Sequence, residues 1–274
     1  MIEFMVDEAK CTRCGMCVLE CPARIIKMKG EDTLPFWIET GEELCINCGH
    51  CVAVCAPGAV SLGTMKPEDC APIMRNLLPD AEQVEHFLKS RRSIRAYKEK
   101  PVSREMLAKL IDIARYAPSG HNSQPLHWLV IEDATEVNRL AGLVIDSMRA
   151  AIKSAPDIAA ALQFDRMVAS WDAGIDLILR GAPHVIIAHA YKDMPLADQN
   201  CHIALTYLEL AACSLGLGAC WAGWLQMVMT SYPPMIEALR LPEGHVGLGA
   251  MMIGYPRHRF SRIPLREEPP IIWR

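Results

Sequence analysis

Two stretches decide how this chain reads: Cys11-Thr12-Arg13-Cys14-Gly15-Met16-Cys17-Val18-Leu19-Glu20-Cys21-Pro22 and Cys45-Ile46-Asn47-Cys48-Gly49-His50-Cys51-Val52-Ala53-Val54-Cys55. Both have the spacing C-x2-C-x2-C-x3-C, and together they hold eight of the twelve cysteines. In this rhythm three closely spaced thiolates wrap one cubane iron–sulfur cluster. The fourth, on the helix that follows, points away and ligates the other cluster. The spacing therefore assigns Cys11, Cys14, Cys17 and Cys55 to one [4Fe–4S] cluster, and Cys45, Cys48, Cys51 and Cys21 to a second. Gly15 and Gly49 let the backbone come close, so that N–H groups can hydrogen-bond the cluster sulfurs and help set the potential. Zinc also uses paired C-x2-C units, but a tetrahedral site takes four ligands and would leave half of these thiols without a role. A disulfide framework fits poorly. The first thirty residues hold no apolar signal-peptide core, which points to a reducing cytoplasm.

Working outward, the 274 residues suffice for a small domain plus a medium one, and an apolar content of 51% supplies a core. A net charge of −4 without long charged runs argues against a nucleic-acid surface. From Ile203 to Met229 only Glu209 and Gln226 are strongly polar, which could imitate a membrane span. Gly216, Gly218 and Gly223 interrupt it, so it reads as a buried helix beginning near Asp198-Gln199-Asn200, then a turn and a strand. Residues 1–66 resemble bacterial two-cluster ferredoxins. The resemblance implies a βαββαβ head, with strands at Phe4–Val6, Ile25–Met28, Phe36–Glu39 and Val60–Leu62. One departure is that Ala56, and only then Pro57, follows Cys55. Residues 67–80, with Pro67, Pro72 and Pro79, read as a linker in which Cys70 is a plain linker residue.

Residues 81–274 form the larger domain. A helix over Ala81–Ser90 leads into Arg91-Arg92-Ser93-Ile94-Arg95, where guanidinium forks suit phosphate oxygens; a solvated basic corner is the plainer alternative. Pro118-Ser119-Gly120-His121-Asn122-Ser123-Gln124-Pro125 is a polar loop between an apolar helix (Arg104–Tyr116) and a strand (His127–Ile131). Its amides and hydroxyls exceed what folding asks for and suit a ligand with polar groups along one edge. Arginines recur after the strand Val246–Ile253, in Gly254-Tyr255-Pro256-Arg257-His258-Arg259 and again at Arg262.

With Gly216-Leu217-Gly218-Ala219-Cys220-Trp221-Ala222-Gly223, these segments in this order make the domain resemble the nitroreductase family of FMN enzymes. The resemblance implies an α+β sandwich, a mixed sheet flanked by helices, in a homodimer with FMN at the subunit interface. By position, Arg91, Arg92, Ser93 and Arg95 would meet the FMN phosphate and ribityl chain, with Arg259 or Arg262 closing the phosphate site. Pro118, Ser119, Gly120, His121, Asn122 and Gln124 would serve the flavin from the partner subunit. Ala222 and Gly223 would lie by its redox edge, where some members carry a Glu. The helix near Gln199–Leu215, apolar nearly all round, and the tail Pro270–Trp273 would be covered in such a dimer. His121, His184 and His189 could be proton donors, although structural roles suit each better. Cys213 and Cys220 read as small apolar fillers.

Clusters move single electrons and a flavin can release a pair. The combination implies an oxidoreductase passing electrons from two clusters, fed by a ferredoxin or another donor, through FMN to a nitroaromatic or a quinone. A reductive dehalogenase or flavin-modifying enzyme is the alternative on the same fold, with 138–175 either a lid or ordinary packing. A non-catalytic redox sensor is the third reading.

Overall fold

A computed structural model describes residues 2–274. The chain divides into two compact units. The first runs to Pro79 and takes in Gly120–Ser123; the second holds Asp80–Ser119 and Gln124–Arg274.

In the first unit, β1 (Phe4–Val6) pairs antiparallel with β4 (Val60–Leu62), placing Phe4 opposite Leu62. The hairpin β2 (Ile26–Lys27) and β3 (Phe36–Trp37) forms a second small sheet. These strands are shorter than the sequence suggests. Thr33 Oγ1 accepts from the Lys29 and Gly30 amides, so the hairpin loop closes early. Helix α1 (Met16–Glu20) follows the first cysteine turn and α3 (His50–Ala53) the second, and between β3 and α3 lies a short α2 (Gly41–Leu44). The order is thus βαββααβ, one helix more than βαββαβ. Gly41 permits it, because a Cβ there would fall 2.7 Å from Trp37 Cβ, and Glu42 and Glu43 suit a helix N-terminus. The backbone repeats itself at the two turns: Arg13 and Asn47 have φ of 57° and 50°, Gly15 and Gly49 of 71° and 72°. Ile25, Ile26, Val52, Val60 and Leu62 make the core, together with Cys17, Cys21 and Cys51. Residues 67–79 carry 3-10 turns at Pro67–Asp69 and Arg75–Leu77, and neither turn has a buried residue.

The second unit starts with α4 (Ala81–Ser90), capped by Asp80, whose carboxylate accepts from the Gln83 amide while Gln83 Oε1 accepts from the Asp80 amide. After α5 (Arg104–Ala114) come β5 (His127–Ile131), α6 (Ala134–Ser154), α7 (Pro156–Ala161) and α8 (Phe164–Asp172). β6 (His184–Tyr191), α9 (Ala197–Ser214), β7 (Gly218–Trp221), α10 (Gly223–Val228), α11 (Pro233–Leu239) and β8 (His245–Gly254) complete it. The sheet order is β5-β6-β8-β7. The resemblance implied a mixed sheet, yet the neighbouring pairs are all antiparallel. Strands β6 and β7, joined through α9, do run parallel to each other. β8 inserts between them and opposes both.

The sheet is covered on both faces, as the sandwich expectation requires. Val185, Ile187, Ala250 and Met252 face α6, α8, α10 and α11, while Ile186, Ala188, Met251 and Ile253 face α5 and α9. This is the period-two alternation of strands. Within 138–175, Val144, Ile145 and Met148 of α6 and Phe164 of α8 are core residues, with Met167 and Trp171 packed against them, whereas Ile158 and Ile175 are exposed. One face of α9 is buried, including Cys201, Leu205 and Leu208, but Ile203 and Tyr207 on the other are 38% and 39% exposed. Among the described residues, no helix is long and apolar enough to cross a membrane.

Candidate functional site

Cys21, Cys45, Cys48 and Cys51 line one cavity with Ile26, Trp37 and Leu62. Cys17 lies within electrostatic reach of Cys11, Cys14 and Cys55. Burial, then the neighbouring thiols Cys48, Cys45 and Cys21, push Cys51 up to about 12. Burial also raises Cys17 and Cys45. Such thiols lose their protons to solvent only when a strong Lewis acid binds the sulfur, so loading this site with iron releases protons. Among the described residues, no three His, Cys, Asp or Glu side chains converge closely enough for a single metal ion. Gly49 takes a left-handed backbone, φ 72°, and a Cβ there would press only on the flexible tip of Met65.

In the second unit, three distant motifs are stitched together by backbone hydrogen bonds. The Ile94 amide donates to the Ala219 carbonyl at 2.9 Å, beside β7. Lys98 N–H donates to Tyr255 O, and Arg257 N–H to Ala96 O, both at 2.9 Å, tying the same segment to the exit of β8. Tyr97 Oη donates back to the Ile94 carbonyl at 2.6 Å. The result is an open groove of about 450 Å³, lined by Arg91, Arg92 and Lys98, by Cys213, Gly216 and Leu217, and by Tyr255, His258, Arg259 and Phe260. Arg91 Nη1 donates to Glu209 Oε1 at 2.8 Å, a carboxylate only 7% exposed. The Arg92 guanidinium lies over the Phe260 ring, 5.9 Å from its centroid. A cationic groove with fixed guanidinium groups suits a phosphate-bearing ligand.

Not every anticipated residue joins this groove. Ser93 turns to the Cys220 thiol, near which Arg95 and Arg180 also lie. Arg262 does not line the groove. Pro118, Ser119 and Gln124 line a separate cavity of about 150 Å³ with Trp128 and Ala204. Gly120, His121 and Asn122 belong with the first unit, where Asn122 Nδ2 donates to the carbonyls of Asn47 (2.9 Å) and Ile46 (3.2 Å). Ala222 is buried and its amide donates to Ala250 O, while the Cα of Gly223 faces open space. His184 Nε2 accepts from the Val102 amide at 2.8 Å, a structural role. His189 meets His245 with Nδ1 atoms 3.0 Å apart, and the His127 ring stands 4.9 Å from that of His245.

Residues 88–255 match the nitroreductase family model. The chain belongs to the nitroreductase family. Residues 10–60 match a 4Fe-4S dicluster domain, so this nitroreductase-family chain carries an iron–sulfur head. An Archaeoglobus fulgidus protein bearing an NADH dehydrogenase/NAD(P)H nitroreductase name is 28% identical over 182 residues, covering 64% of this chain and 87% of its own. An FMN reductase [NAD(P)H] of Bacillus subtilis is 27% identical over 182 residues, covering 65% of this chain and 67% of its own. Among solved structures, an FMN-bound nitroreductase of Bacteroides fragilis shares the fold. It superposes with a TM-score of 0.57 at 22% identity, over 70% of this chain and 99% of that one.

Within this nitroreductase-family domain, sequence reasoning overlooked three groups. Glu209 counts in the sequence only as one of two strongly polar residues in an apolar stretch, although a carboxylate in such a helix signals a buried cationic partner. Lys98 lies just beyond the arginine motif. His127 and His245 carry no motif, and only strand pairing brings them to His189.

Proposed function

We propose that this protein is an FMN-dependent oxidoreductase that takes electrons at two [4Fe–4S] clusters and passes them through FMN to an organic acceptor, a nitroaromatic or a quinone. One observation carries the reading: a single chain joins two crossed cysteine tetrads to a cationic groove assembled from three family motifs. FMN, when bound, links one-electron donors to two-electron acceptors.

The chain's own residues supply binding and orientation. Arg91, Arg92 and Arg259 line the groove proposed for the flavin phosphate, and Glu209 holds the Arg91 guanidinium in place. Ser93, Arg95 and Arg262 are assigned to the ribityl side and the outer phosphate. Pro118, Ser119, Gly120, His121 and Gln124 are assigned to the flavin of a second copy, and Ala222 and Gly223 to its redox edge. No carboxylate stands at Ala222, so protons are assigned to solvent. Cys11, Cys14, Cys17 and Cys55 are assigned to one cluster, and Cys21, Cys45, Cys48 and Cys51 to the other.

A homodimer accords with the apolar surface left on one chain: Ile203 and Tyr207 on α9, and Leu265, Ile272 and Trp273 of the tail, which are 98%, 83% and 86% exposed. An external ferredoxin is the donor that suits the clusters, and a reducing cytoplasm suits the free cysteines. A reductive dehalogenase or flavin-modifying enzyme is the alternative on this fold; in the segment that would act as its lid, α6 packs into the core.

Anaerobic titration of the purified protein, followed optically and by EPR, tests the reading. FMN reduction should follow cluster reduction, with turnover of a nitroaromatic or quinone. If Cys11→Ser and Cys45→Ser leave ferredoxin-driven turnover unchanged, the clusters are not the inlet and the proposal fails.

A further inference from the structure

We infer that Asn122 is a positioning residue for the second iron–sulfur cluster: its side-chain amide clamps the Cys45–Cys48 turn and, through the peptide it holds, raises the potential of the cluster bound there. The inference rests on the assignment of Cys21, Cys45, Cys48 and Cys51 to one cluster.

Asn122 Nδ2 donates to two successive carbonyls, Ile46 and Asn47, and these are the two residues between Cys45 and Cys48. Gly120–Ser123 packs within the first unit, apart from the chain on either side of it. The turn is gripped a second time where Thr64 Oγ1 donates to Asn47 Oδ1 at 2.8 Å. Asn47 itself has a left-handed backbone, φ 50°, a conformation that needs such support in a residue with a Cβ. Main chain and side chain of the turn are therefore both pinned.

The route to the cluster is one peptide long. A donor on the Ile46 carbonyl polarises the Ile46–Asn47 amide, and the N–H at the other end of that amide donates to the Cys45 sulfur. Successive hydrogen bonds strengthen one another. A stronger donor draws charge from the ligand sulfur and favours the reduced cluster. The equivalent residue of the first turn, Arg13, has the same backbone twist but sends its side chain to Glu8. The two motifs match in spacing, and Asn122 makes their surroundings differ.

The test uses the full chain with its clusters reconstituted, and a redox titration followed by EPR. The signal of the second cluster is the one that Cys45→Ser alters. Asn122→Gly removes the donor without penalising the left-handed backbone at φ 53°. It should lower the reduced-to-oxidised ratio of that cluster at fixed potential by a factor of about 3–10, the scale of one lost hydrogen bond, and leave the other cluster unchanged. Asn122→Asp keeps the shape, replaces the donor by an acceptor, and should shift the same cluster further in the same direction. Two reducible clusters in the wild type, with both potentials unchanged in both variants at full iron content, would overturn the clamp alone. A wild-type protein that assembles no reducible cluster overturns the ligand assignment and the clamp together.

Discussion

Arg91 and Glu209 meet across 118 residues of sequence, and a carboxylate 7% exposed is held in place only because a cation faces it. The pair fixes one edge of a guanidinium that lines the groove. Arg91→Ala should weaken FMN binding by about 10- to 100-fold, the scale of charge-assisted hydrogen bonds, measured by quenching of flavin fluorescence. Glu209→Gln keeps a hydrogen bond and loses the charge, so it should weaken binding by less, about threefold to tenfold. A second residue-scale expectation concerns His189. Burial, then His245 and His127, hold it down to about 4. It is neutral in the folded protein and gains a proton near 6.5 once unfolded. The unfolded chain thus binds more protons between those values. Stability is full above pH 6.5 and is lost as pH falls toward 4, by on the order of 2 kcal/mol. Urea unfolding at pH 7 and pH 5 should show a smaller loss in His189→Gln than in the wild type.

At the scale of elements, β7 and the segment Arg91–Lys98 act as one piece. Gly218 makes their contact possible, because a Cβ there would sit 2.5 Å from Ile94 Cγ1. Gly218→Ala must displace Ile94, whose amide bonds to Ala219 and whose neighbours carry the arginines. The substitution should cost about 1–3 kcal/mol by overpacking. It should also weaken FMN binding, which separates it from a purely local defect; calorimetry and fluorescence titration read the two effects. Elements differed in how legible they were. The observed bounds of α4 and β5 agree with those read from the residues, and those of β1 and β4 with the ones that the ferredoxin resemblance implied. Strand β6 was not read at all. It is buried from His184 to Ala190, so it shows a continuous apolar run in place of alternation, and such a run is ambiguous between strand and helix. The loop 117–125 was legible as a polar ligand-type loop. Its division between a cavity beside α5 and the carbonyls of a cysteine turn was not.

For the whole molecule, the prediction concerns assembly. The tail from Leu265 to Trp273 is exposed in a single chain, with Leu265 at 98% and Trp273 at 86%. Deleting residues 265–274 should shift sedimentation from dimer toward monomer and lower FMN retention, with iron content unchanged. The sequence alone set out the domain order and grouped the eight cysteines in two runs, because three ligands of each cluster lie within a few residues of one another and short-range spacing records that need. It also marked arginines as candidates for an anion, since donor chemistry is carried by residue type. Only the tertiary structure decided which of them act together. Arg91, Leu217 and Arg259 share one groove because β8 inserts between β6 and β7 and brings its exit beside the arginine segment. Tertiary structure likewise sent Asn122 to the Ile46 and Asn47 carbonyls and gave Arg91 its partner. Contacts over such separations depend on the order of strands in a sheet, and no local periodicity encodes that order.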